Sequence, residues 1–139
     1  MQATFELSTS GAGLYEFTSE VQAFVRSEQA ATGLLTLFCQ HTSCSLVIQE
    51  NADPDVQSDL DAFFKRLVPD ANDPSMSYLR HRAEGPDDMS AHIKAALTQT
   101  SIAIPVSDSR LALGTWQGIY LFEHRAQPHT RRVVAHLGH

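Results

Sequence analysis

Histidine is the residue type of this chain that points most directly to chemistry. The sequence has 139 residues, and seven of them are histidines. Three of the seven, His41, His81 and His92, lie in the first two-thirds of the chain. Neutral imidazoles are the commonest metal ligands, and three of them around one ion with an open position form a catalytic zinc geometry. We therefore predict that His41, His81 and His92 bind a divalent metal, which is zinc or magnesium.

The surroundings of these histidines support a shared site and also allow a simpler explanation. Asp88 lies four residues before His92, so the carboxylate and the imidazole are neighbours on one helical surface and Asp88 would fix the tautomer of His92. A single histidine near an apolar face is usually a hydrogen-bonded structural residue, and spacing does not show that three of them converge. The last three histidines are predicted to lie at the surface: His129, His136 and His139.

Acidic residues cluster between Glu50 and Asp61, where five acids occur without a base. Carboxylates together with a bound phosphate are the ligands that magnesium prefers. Glu50 is the strongest candidate of the group, because it precedes the next helix on a strand with Leu46 and Ile48. The alternative is that Asp53 caps that helix and the other acids form its solvated face.

The segment 114–118, which joins two predicted strands, has the composition of a ligand-binding turn. Glycines at both of its ends allow close approach of a ligand. Thr115, Gln117 and the backbone amides could hold an anion, while Trp116 offers a stacking face. The alternative is a structural hairpin in which Trp116 covers the core or a subunit contact.

Hydrophobic periodicity predicts the elements that would position these residues. Three amphipathic helices are predicted, over 18–30, from Pro54 to Pro69 and over 87–98. Strands are predicted over 2–8, 34–40, 44–49, 101–106, 110–113, 117–125 and 131–137. Because helices are separated by groups of strands, this order favours an α+β domain with largely antiparallel sheets. The polar segment 70–86 is long for a connection and is predicted to be functional or disordered.

Alternation on the strand 34–40 places Leu35, Leu37 and Cys39 on one face, and His41 would continue that face. Cys39 and Cys44 bracket the turn that contains His41. We predict that both cysteines are buried small apolar residues rather than metal ligands.

The composition excludes several classes of protein. A formal net charge of −6 argues against a dedicated nucleic-acid binder, which needs a basic face. No apolar run approaches the ~20 residues of a membrane span, and the first residues lack the features of a signal peptide, so a cytoplasmic location is expected. The length corresponds to one domain over 1–139. No Walker-type phosphate loop, Rossmann glycine fingerprint, zinc-protease helix motif or nucleophile elbow occurs.

An ordered set of motifs along nearly the whole chain resembles the YjbQ-like family. The set comprises Gln40-His41-Thr42-Ser43, Glu50-Asn51, Asp53-Pro54, Val68-Pro69-Asp70, Glu84-Gly85-Pro86-Asp87-Asp88-Met89, His92-Ile93-Lys94, Gly114-Thr115-Trp116-Gln117-Gly118-Ile119 and Glu123-His124-Arg125. The chain departs from the family's pattern at Gln99 and Ser109, where glycine is common, and at Arg82, where an acid is frequent. It also carries an extension over 72–77.

The resemblance implies a fold, an assembly and an activity. The fold is an α+β, two-sheet, mostly antiparallel β-sandwich with about three helices packed outside, and the assembly is a homotrimer. The activity is that of a secondary thiamine-phosphate synthase, which joins a pyrimidine carrying diphosphate to a thiazole phosphate and releases pyrophosphate. The family's recurring polar residues match this chain at His41, Glu50, Asn51, Asp59, His81, His92, Thr115, Trp116, Gln117, His124 and Arg132.

The resulting hypothesis is a small trimeric enzyme with a His-rich, metal-binding pocket. Glu50, as a general acid or base, and His124 are the predicted catalytic residues. The small phosphorylated substrate is predicted to contact Asn51, Asp59, Thr115, Trp116, Gln117 and Arg132. Because zinc with histidine ligands is more typical of hydrolysis than of diphosphate departure, a metal-dependent hydrolase of a small metabolite is an alternative. A non-catalytic trimer that binds a small ligand or a metal is another.

Overall fold

Two antiparallel sheets and three α-helices make up the computed structural model, which describes residues 1–139. The strands are β1 (Gln2–Thr9), β2 (Gly13–Glu16), β3 (Thr32–Cys39), β4 (Cys44–Glu50), β5 (Ser101–Ser107), β6 (Arg110–Leu111), β7 (Gln117–Glu123) and β8 (His129–Gly138). The helices are α1 (Thr18–Glu28), α2 (Pro54–Leu67) and α3 (Asp88–Leu97). A short 3-10 helix, Pro74–Met76, lies between α2 and α3.

The two sheets enclose the hydrophobic core between them. The larger sheet has the strand order β1-β8-β3-β5-β6 and the smaller one β2-β7-β4, which confirms the predicted α+β class with antiparallel sheets. In β3 the predicted alternation holds, because Leu35, Leu37 and Cys39 are buried in the core. Cys39 and Cys44 are both buried and free, also as predicted.

β7 is the central strand of the smaller sheet and is covered on both faces. Ile119 and Leu121 belong to the core between the sheets. On the opposite face, the Tyr120 hydroxyl accepts a 2.8 Å hydrogen bond from Gln57 Nε2 of α2. The β7 segment is therefore a nearly continuous apolar run, which is the pattern of a strand buried on both sides.

α2 begins as its sequence predicts, but it packs on the surface of the small sheet without burying any residue completely. Asp53 caps the helix by accepting a 2.9 Å hydrogen bond from the Asp55 amide, and Pro54 occupies the first turn. The Phe64 ring lies edge-on to Phe122, with 5.1 Å between centroids. No residue of α2 is fully buried, and Phe63 remains 58% exposed. At 14 residues α2 is the longest helix, and no helix has the length and apolar character needed to span a membrane.

The predicted long segment between α2 and α3 is folded around Arg82. The Arg82 guanidinium donates hydrogen bonds to the carbonyl oxygens of Leu79 at 2.9 Å, Ala71 at 3.1 Å and Met76 at 3.2 Å. These bonds satisfy backbone carbonyls that no helix or strand pairs, so Arg82 organises the extension over 72–77. Arg82, one of the positions at which the chain departs from the family's pattern, therefore has a structural role next to His81 in the sequence.

Candidate metal centre

Four side chains at the start of α3 and in the turn before it converge on one point. The donor atoms of His81, Glu84, Asp88 and His92 all lie within 4.8 Å of one another. Asp88 and His92 share one side of α3 because they are one helical turn apart. His81 and Glu84 come from the preceding turn, in which Gly85 adopts a φ of +104° that favours glycine. The structure thus brings together two of the three histidines predicted as ligands, along with two carboxylates.

Asp88 lies at the centre of this group. Its side chain is only 2% exposed. Its Oδ2 lies 2.7 Å from His81 Nε2 and 3.1 Å from His92 Nε2, while its Oδ1 accepts a 2.7 Å hydrogen bond from Arg125 Nη1. Burial by itself would raise the pKa of Asp88, but the hydrogen bond from His81 and the charge of Arg125 outweigh it and hold the pKa below its ordinary value. Asp88 is therefore an ionised carboxylate, which only accepts hydrogen bonds.

The backbone fixes the tautomer of His92. Its Nδ1 lies 2.8 Å from the carbonyl oxygen of Thr42, and a carbonyl only accepts, so Nδ1 carries a hydrogen. A neutral imidazole has one ring N–H, and Nε2 of neutral His92 therefore presents a lone pair to Asp88 Oδ2. Two acceptors 3.1 Å apart repel each other unless a proton or a metal cation lies between them. A ring N–H donated to a backbone carbonyl is also the usual support of a metal-binding histidine.

Glu84 adds a second negative charge to the group. Its Oε2 lies 3.9 Å from His81 Nε2. Two carboxylates that share one site repel each other unless a proton or a cation is shared between them. Arg125 offsets only part of this charge, because its Nε also donates to Asp87 Oδ2 at 3.0 Å. The group therefore has the charge and the donor atoms to attract a divalent cation.

His41 lies apart from this group. Its Nε2 accepts a 2.8 Å hydrogen bond from the backbone N–H of Arg132, so that lone pair is already in use. Burial and the positive charge of Arg131 lower the pKa of His41. His41 nevertheless lines the same cavity as Gln40 and His92, with a volume of about 610 Å³. The cavity adjoins the cluster through His92, and it is the place where His41 can meet a ligand.

The residues predicted around Glu50 form a separate group at the far end of β4. Glu50 pairs with Gln117 in the sheet register, and the Asn51 amide donates a 2.9 Å hydrogen bond to the Trp116 carbonyl. Glu50 is six residues along β4 from Cys44, or about 20 Å at roughly 3.3 Å per residue. Within one chain, these side chains therefore do not reach the His–carboxylate cluster. Three other predicted contacts are exposed: Asp59, Thr115 and Arg132.

His124 is buried directly after the end of β7, and its ring lies 4.5 Å from that of Phe122. The Thr98 hydroxyl donates its one hydrogen to the Lys94 carbonyl oxygen at 2.8 Å, and Ser45 Oγ lies 2.7 Å from Thr98 Oγ1 and 2.9 Å from His124 Nε2. Because a carbonyl only accepts, Ser45 donates to Thr98 Oγ1 and accepts from His124 Nε2–H, so the neutral ring carries its hydrogen on Nε2. Burial and the charge of Lys94 lower the pKa of His124 to about 3.

We expect His124 to make the protein less stable as the pH falls from 7 to 5. Unfolded histidine has a pKa near 6.5 and folded His124 a pKa of about 3. The unfolded state therefore binds the extra proton first, and the free energy of unfolding falls by about 2 kcal/mol over this range. His124→Gln should lose correspondingly less stability between the two pH values in urea unfolding. The exposed His136→Gln serves as control, and equal losses for H124Q and the unaltered protein would contradict the prediction.

Two features of the site were missed by the sequence predictions. Glu84 lies in a quoted motif but was not predicted to bind metal, although residues 81, 84, 88 and 92 follow helical spacing and that signal was available. The buried pair of Glu123 and Arg131 was also missed, since nothing local to either residue indicates that they meet. Arg131 Nε donates to Glu123 Oε2 at 2.6 Å, with both side chains at most 5% exposed.

The fold and the cluster define the class: a two-sheet α+β domain that carries a His–carboxylate group at the start of one helix. Residues 3–139 match the family described as UPF0047 protein YjbQ-like. Because the match spans nearly the whole sequence, the chain belongs to the YjbQ-like UPF0047 family, as its motifs predicted.

Relatives and solved structures agree with this assignment. The chain is 51% identical over 136 residues to UPF0047 protein sll1880 of Synechocystis, which covers 98% of this chain and 90% of the relative. It is 42% identical over 137 residues to UPF0047 protein YjbQ of Escherichia coli O157:H7, with 98% and 96% covered. A crystal structure of a yjbq/upf0047 family protein from Clostridium acetobutylicum, 33% identical, superimposes with a TM-score of 0.86 and covers 98% of this chain and 99% of that one.

A second solved structure, of the conserved hypothetical protein TT1486 from Thermus thermophilus, is 34% identical with a TM-score of 0.84, and covers 98% of this chain and 99% of that one. The names of these relatives give no activity. They therefore confirm the family and the fold, and they do not support the thiamine-phosphate synthase activity that the resemblance implied.

Proposed function

We propose that the protein binds a divalent metal ion at His81, Glu84, Asp88 and His92 and uses it to act on a small phosphorylated metabolite. The observation that carries the proposal is the orientation of His92. Its Nδ1–H is donated to a backbone carbonyl, so in the neutral ring the Nε2 lone pair faces the buried carboxylate of Asp88. A metal cation between the two acceptors would replace their repulsion by two coordinate bonds.

The donor atoms fit zinc better than magnesium. The two imidazole nitrogens and the Asp88 oxygen would fill three positions of a four-coordinate zinc ion, and the fourth would be taken either by Glu84 or, as in catalytic zinc sites, by water or substrate. Magnesium prefers oxygen ligands in an octahedral arrangement and keeps several waters. His41 is not part of the proposed ligand set, because its Nε2 already accepts the Arg132 amide.

Neighbouring groups would hold the ligands in place. Arg125 donates to Asp88 Oδ1, and Thr42 accepts from His92, so two ligands are oriented by partners outside the centre. A bound metal would supply Lewis-acid polarisation of a phosphoryl oxygen, or a bound water of lowered pKa. The cavity of about 610 Å³ beside His92 would receive the substrate, with His41 and Gln40 on its wall.

Two reactions are candidates at this centre. Hydrolysis of a small phosphorylated metabolite is favoured by the two imidazole ligands, which are typical of zinc hydrolases. Synthesis of thiamine phosphate, the activity that the resemblance implied, is favoured by the carboxylates of Glu84 and Asp88, because magnesium with carboxylate ligands usually assists the departure of diphosphate. We propose hydrolysis as the first reaction and synthesis as the second.

His92→Ala should weaken zinc binding by more than about 100-fold. Removing only the outer partner of a metal ligand already costs about 10–100-fold, and His92→Ala removes the ligand itself. His136→Ala is the matched control, because His136 is exposed on β8 and its Nδ1 contacts only the Gln2 amide group. Isothermal titration calorimetry with zinc and with magnesium measures both affinities. If the H92A protein binds zinc as tightly as the unaltered protein, the proposed centre is wrong.

Turnover is tested on the same variants, each incubated with zinc or magnesium. One assay supplies a set of phosphomonoesters and measures released phosphate, and the other supplies a pyrimidine diphosphate with a thiazole phosphate and measures thiamine phosphate. A catalytic centre predicts a loss of at least about 100-fold in His92→Ala and none in His136→Ala. Equal product from all proteins would mean that another part of the protein carries out the reaction. The absence of product in both assays would favour a protein that binds metal but catalyses neither reaction.

We propose in addition that the protein is a homotrimer, as the resemblance implied. Trp116 is 62% exposed in the turn before β7, and a large exposed apolar side chain is typical of a contact surface. Trp116→Ala should convert the trimer to monomer without changing zinc binding, because this turn lies at the far end of β4 from the cluster. Size-exclusion chromatography with light scattering measures the mass. A trimer that persists would instead assign Trp116 to ligand contact or to the surface.

A further inference from the structure

The two cysteines of the chain are in contact at the turn that connects the two sheets. Cys39 Sγ lies 3.3 Å from Cys44 Sγ and 3.6 Å from the Cys44 carbonyl oxygen. Each residue is 1% exposed, and both thiols are free. The S–S bond of a disulfide is about 2.0 Å long, so the two sulfur atoms need to approach each other by roughly 1.3 Å to form one.

Each cysteine belongs to a different sheet. Cys39 is the last residue of β3 and pairs with Val133 in the larger sheet. Cys44 is the first residue of β4 and pairs with Glu123 in the smaller sheet. Strand pairing therefore holds the backbone at both positions, and the approach of the sulfur atoms must be absorbed by the side chains and by the segment 40–43 between them.

Cys39 is the more accessible cysteine of the pair. It lines the cavity of about 610 Å³ beside His92, whereas Cys44 does not. A small oxidant that enters the cavity therefore meets Cys39 first. The hydrogen bond from Cys44 lowers the pKa of Cys39 against the opposing effect of burial, and the charge of Arg131 adds to the lowering. A thiol with a lowered pKa near a cation is more reactive than an ordinary buried thiol.

The segment 40–43 contacts both the cavity and the proposed metal centre. The Thr42 carbonyl accepts the 2.8 Å hydrogen bond from His92 Nδ1. Gln40 and His41 form part of the cavity wall. A displacement of Thr42 would therefore remove the hydrogen bond that sets the orientation and the tautomer of His92.

We propose that Cys39 and Cys44 form a redox site, at which a hydroperoxide oxidises the two thiols to a disulfide and the segment 40–43 shifts so that Thr42 releases His92. The disulfide joins the two sheets covalently. Its formation does not depend on the proposed function, whereas its effect on zinc binding does.

The oxidation takes place in two steps. The Cys39 thiolate attacks one oxygen of the hydroperoxide, the O–O bond breaks, and Cys39 becomes a sulfenic acid. The leaving oxygen takes up the proton that the thiol lost and departs as water or an alcohol. The Cys44 sulfur then attacks the Cys39 sulfur, the S–O bond breaks, and the hydroxyl group leaves as water with the Cys44 proton. The two sulfur atoms have together lost two electrons, and a dithiol reductant returns them by thiol–disulfide exchange.

The first test treats the reduced, full-length protein with hydrogen peroxide, blocks the remaining thiols with iodoacetamide and measures the intact mass. We expect one disulfide within the chain and no alkylation, and dithiothreitol should restore two alkylatable thiols. Cys44→Ser should stop at the sulfenic acid of Cys39, which dimedone labels. Cys39→Ser is the matched control and should be labelled at least tenfold less, because Cys44 does not line the cavity.

The proposal is overturned if the peroxide-treated protein keeps two free thiols or forms disulfides only between chains. Equal labelling of C39S and C44S would also overturn it, because the cavity would then not direct the oxidant to Cys39. The disulfide itself is measured in the unaltered protein, so this result does not depend on the folding of either serine variant.

The second test compares the reduced and oxidised proteins by NMR of the histidine rings, without metal. The His92 ring signals should shift on oxidation and return with dithiothreitol, while those of His136, which is exposed on β8, should stay unchanged. Unchanged His92 signals would overturn the proposed release by Thr42.

Zinc titration of the same two forms measures the effect on the metal centre. The oxidised protein should bind zinc at least about tenfold more weakly, which is the lower limit for loss of an outer partner of a ligand. Peroxide-treated C39S is the control and should keep its zinc affinity within threefold. Equal affinities of the oxidised and reduced forms would overturn the effect on the centre. A reduced protein that binds no zinc would contradict the proposed function alone, because the disulfide and the ring signals are measured without metal.

Discussion

Glu123→Gln should lower the free energy of unfolding by about 3–5 kcal/mol, the usual cost of leaving one member of a buried ion pair without its counter-charge. Glu123 is fully buried, and both of its oxygens accept hydrogen bonds from Arg131. The Thr9 hydroxyl and the backbone amide of Arg125 donate to it as well, at 2.8 Å and 3.1 Å. An amide in place of the carboxylate sets an N–H₂ group against these donors. Urea unfolding at pH 7 measures the loss.

Two comparisons make this result specific. Arg132→Ala breaks the neighbouring exposed pair of Arg132 and Glu6, and it should cost less than about 1 kcal/mol. Replacing Glu123 by leucine and Arg131 by methionine together should recover much of the stability, because no unpaired charge is left in the core. A loss in E123Q no larger than the loss in R132A would mean that the buried pair does not hold the two sheets together.

The same pair has a defined pH dependence. Burial by itself would raise the pKa of Glu123, but the hydrogen bonds from Arg131, Arg125 and Thr9 outweigh it and the pKa is lowered. The stability that Glu123 contributes is therefore fully present above its unfolded pKa near 4.5 and is lost as the pH falls through the lower folded pKa. Below pH 4.5, E123Q should lose less further stability than the unaltered protein.

Asp88→Asn should abolish measurable zinc binding and also destabilise the metal-free protein by about 3 kcal/mol. The first effect follows because Asp88 Oδ2 is the atom that both His81 and His92 face. The second follows because Arg125 would lose its buried counter-charge, at 2.7 Å from Asp88 Oδ1. Calorimetric zinc titration and urea unfolding with a chelator present measure the two effects separately.

Asp87→Asn is the matched control for this variant. Asp87 binds the same Arg125 side chain, through Nε at 3.0 Å, but it contacts neither histidine. We expect D87N to cost about 1–2 kcal/mol in stability and to keep its zinc affinity within about threefold. Loss of zinc binding in both variants would show that the effect runs through Arg125 and the fold, and would remove Asp88 from the ligand set.

The secondary structure was largely predictable because its signals are local. The cap at Asp53, the prolines at each end of the second helix and the alternation in β3 were all visible in short stretches of sequence. β2 was missed, because four residues are too few to establish a period and its first residue is a glycine at φ +145°. α2 was predicted as an amphipathic helix, and its apolar stripe is only partly covered: Phe64 and Gln57 contact Phe122 and Tyr120 of the small sheet, whereas Phe63 remains exposed.

In the candidate site, too, some contacts could be predicted from the sequence and others could not. The neighbourhood of Asp88 and His92 was predictable, because residues four apart on a helix always meet. The hydrogen-bond partner of His41 was not predictable. A period-two pattern shows which face of a strand a side chain lies on, but it does not show which residues from other parts of the chain pack against that face. In the fold, the Arg132 amide occupies the Nε2 of His41, and these residues are 91 positions apart.

By itself, the sequence determined the family, the α+β class and the proximity of Asp88 and His92 on α3, because all of these are recorded in local order and spacing. Only the tertiary structure decided which side chains share a partner. Thr42 orients His92 across 50 residues, and Ser45 reaches His124 across 79. Such contacts depend on which strands pair and on how α3 packs against β4. Neither can be predicted from the spacing of residues along the chain.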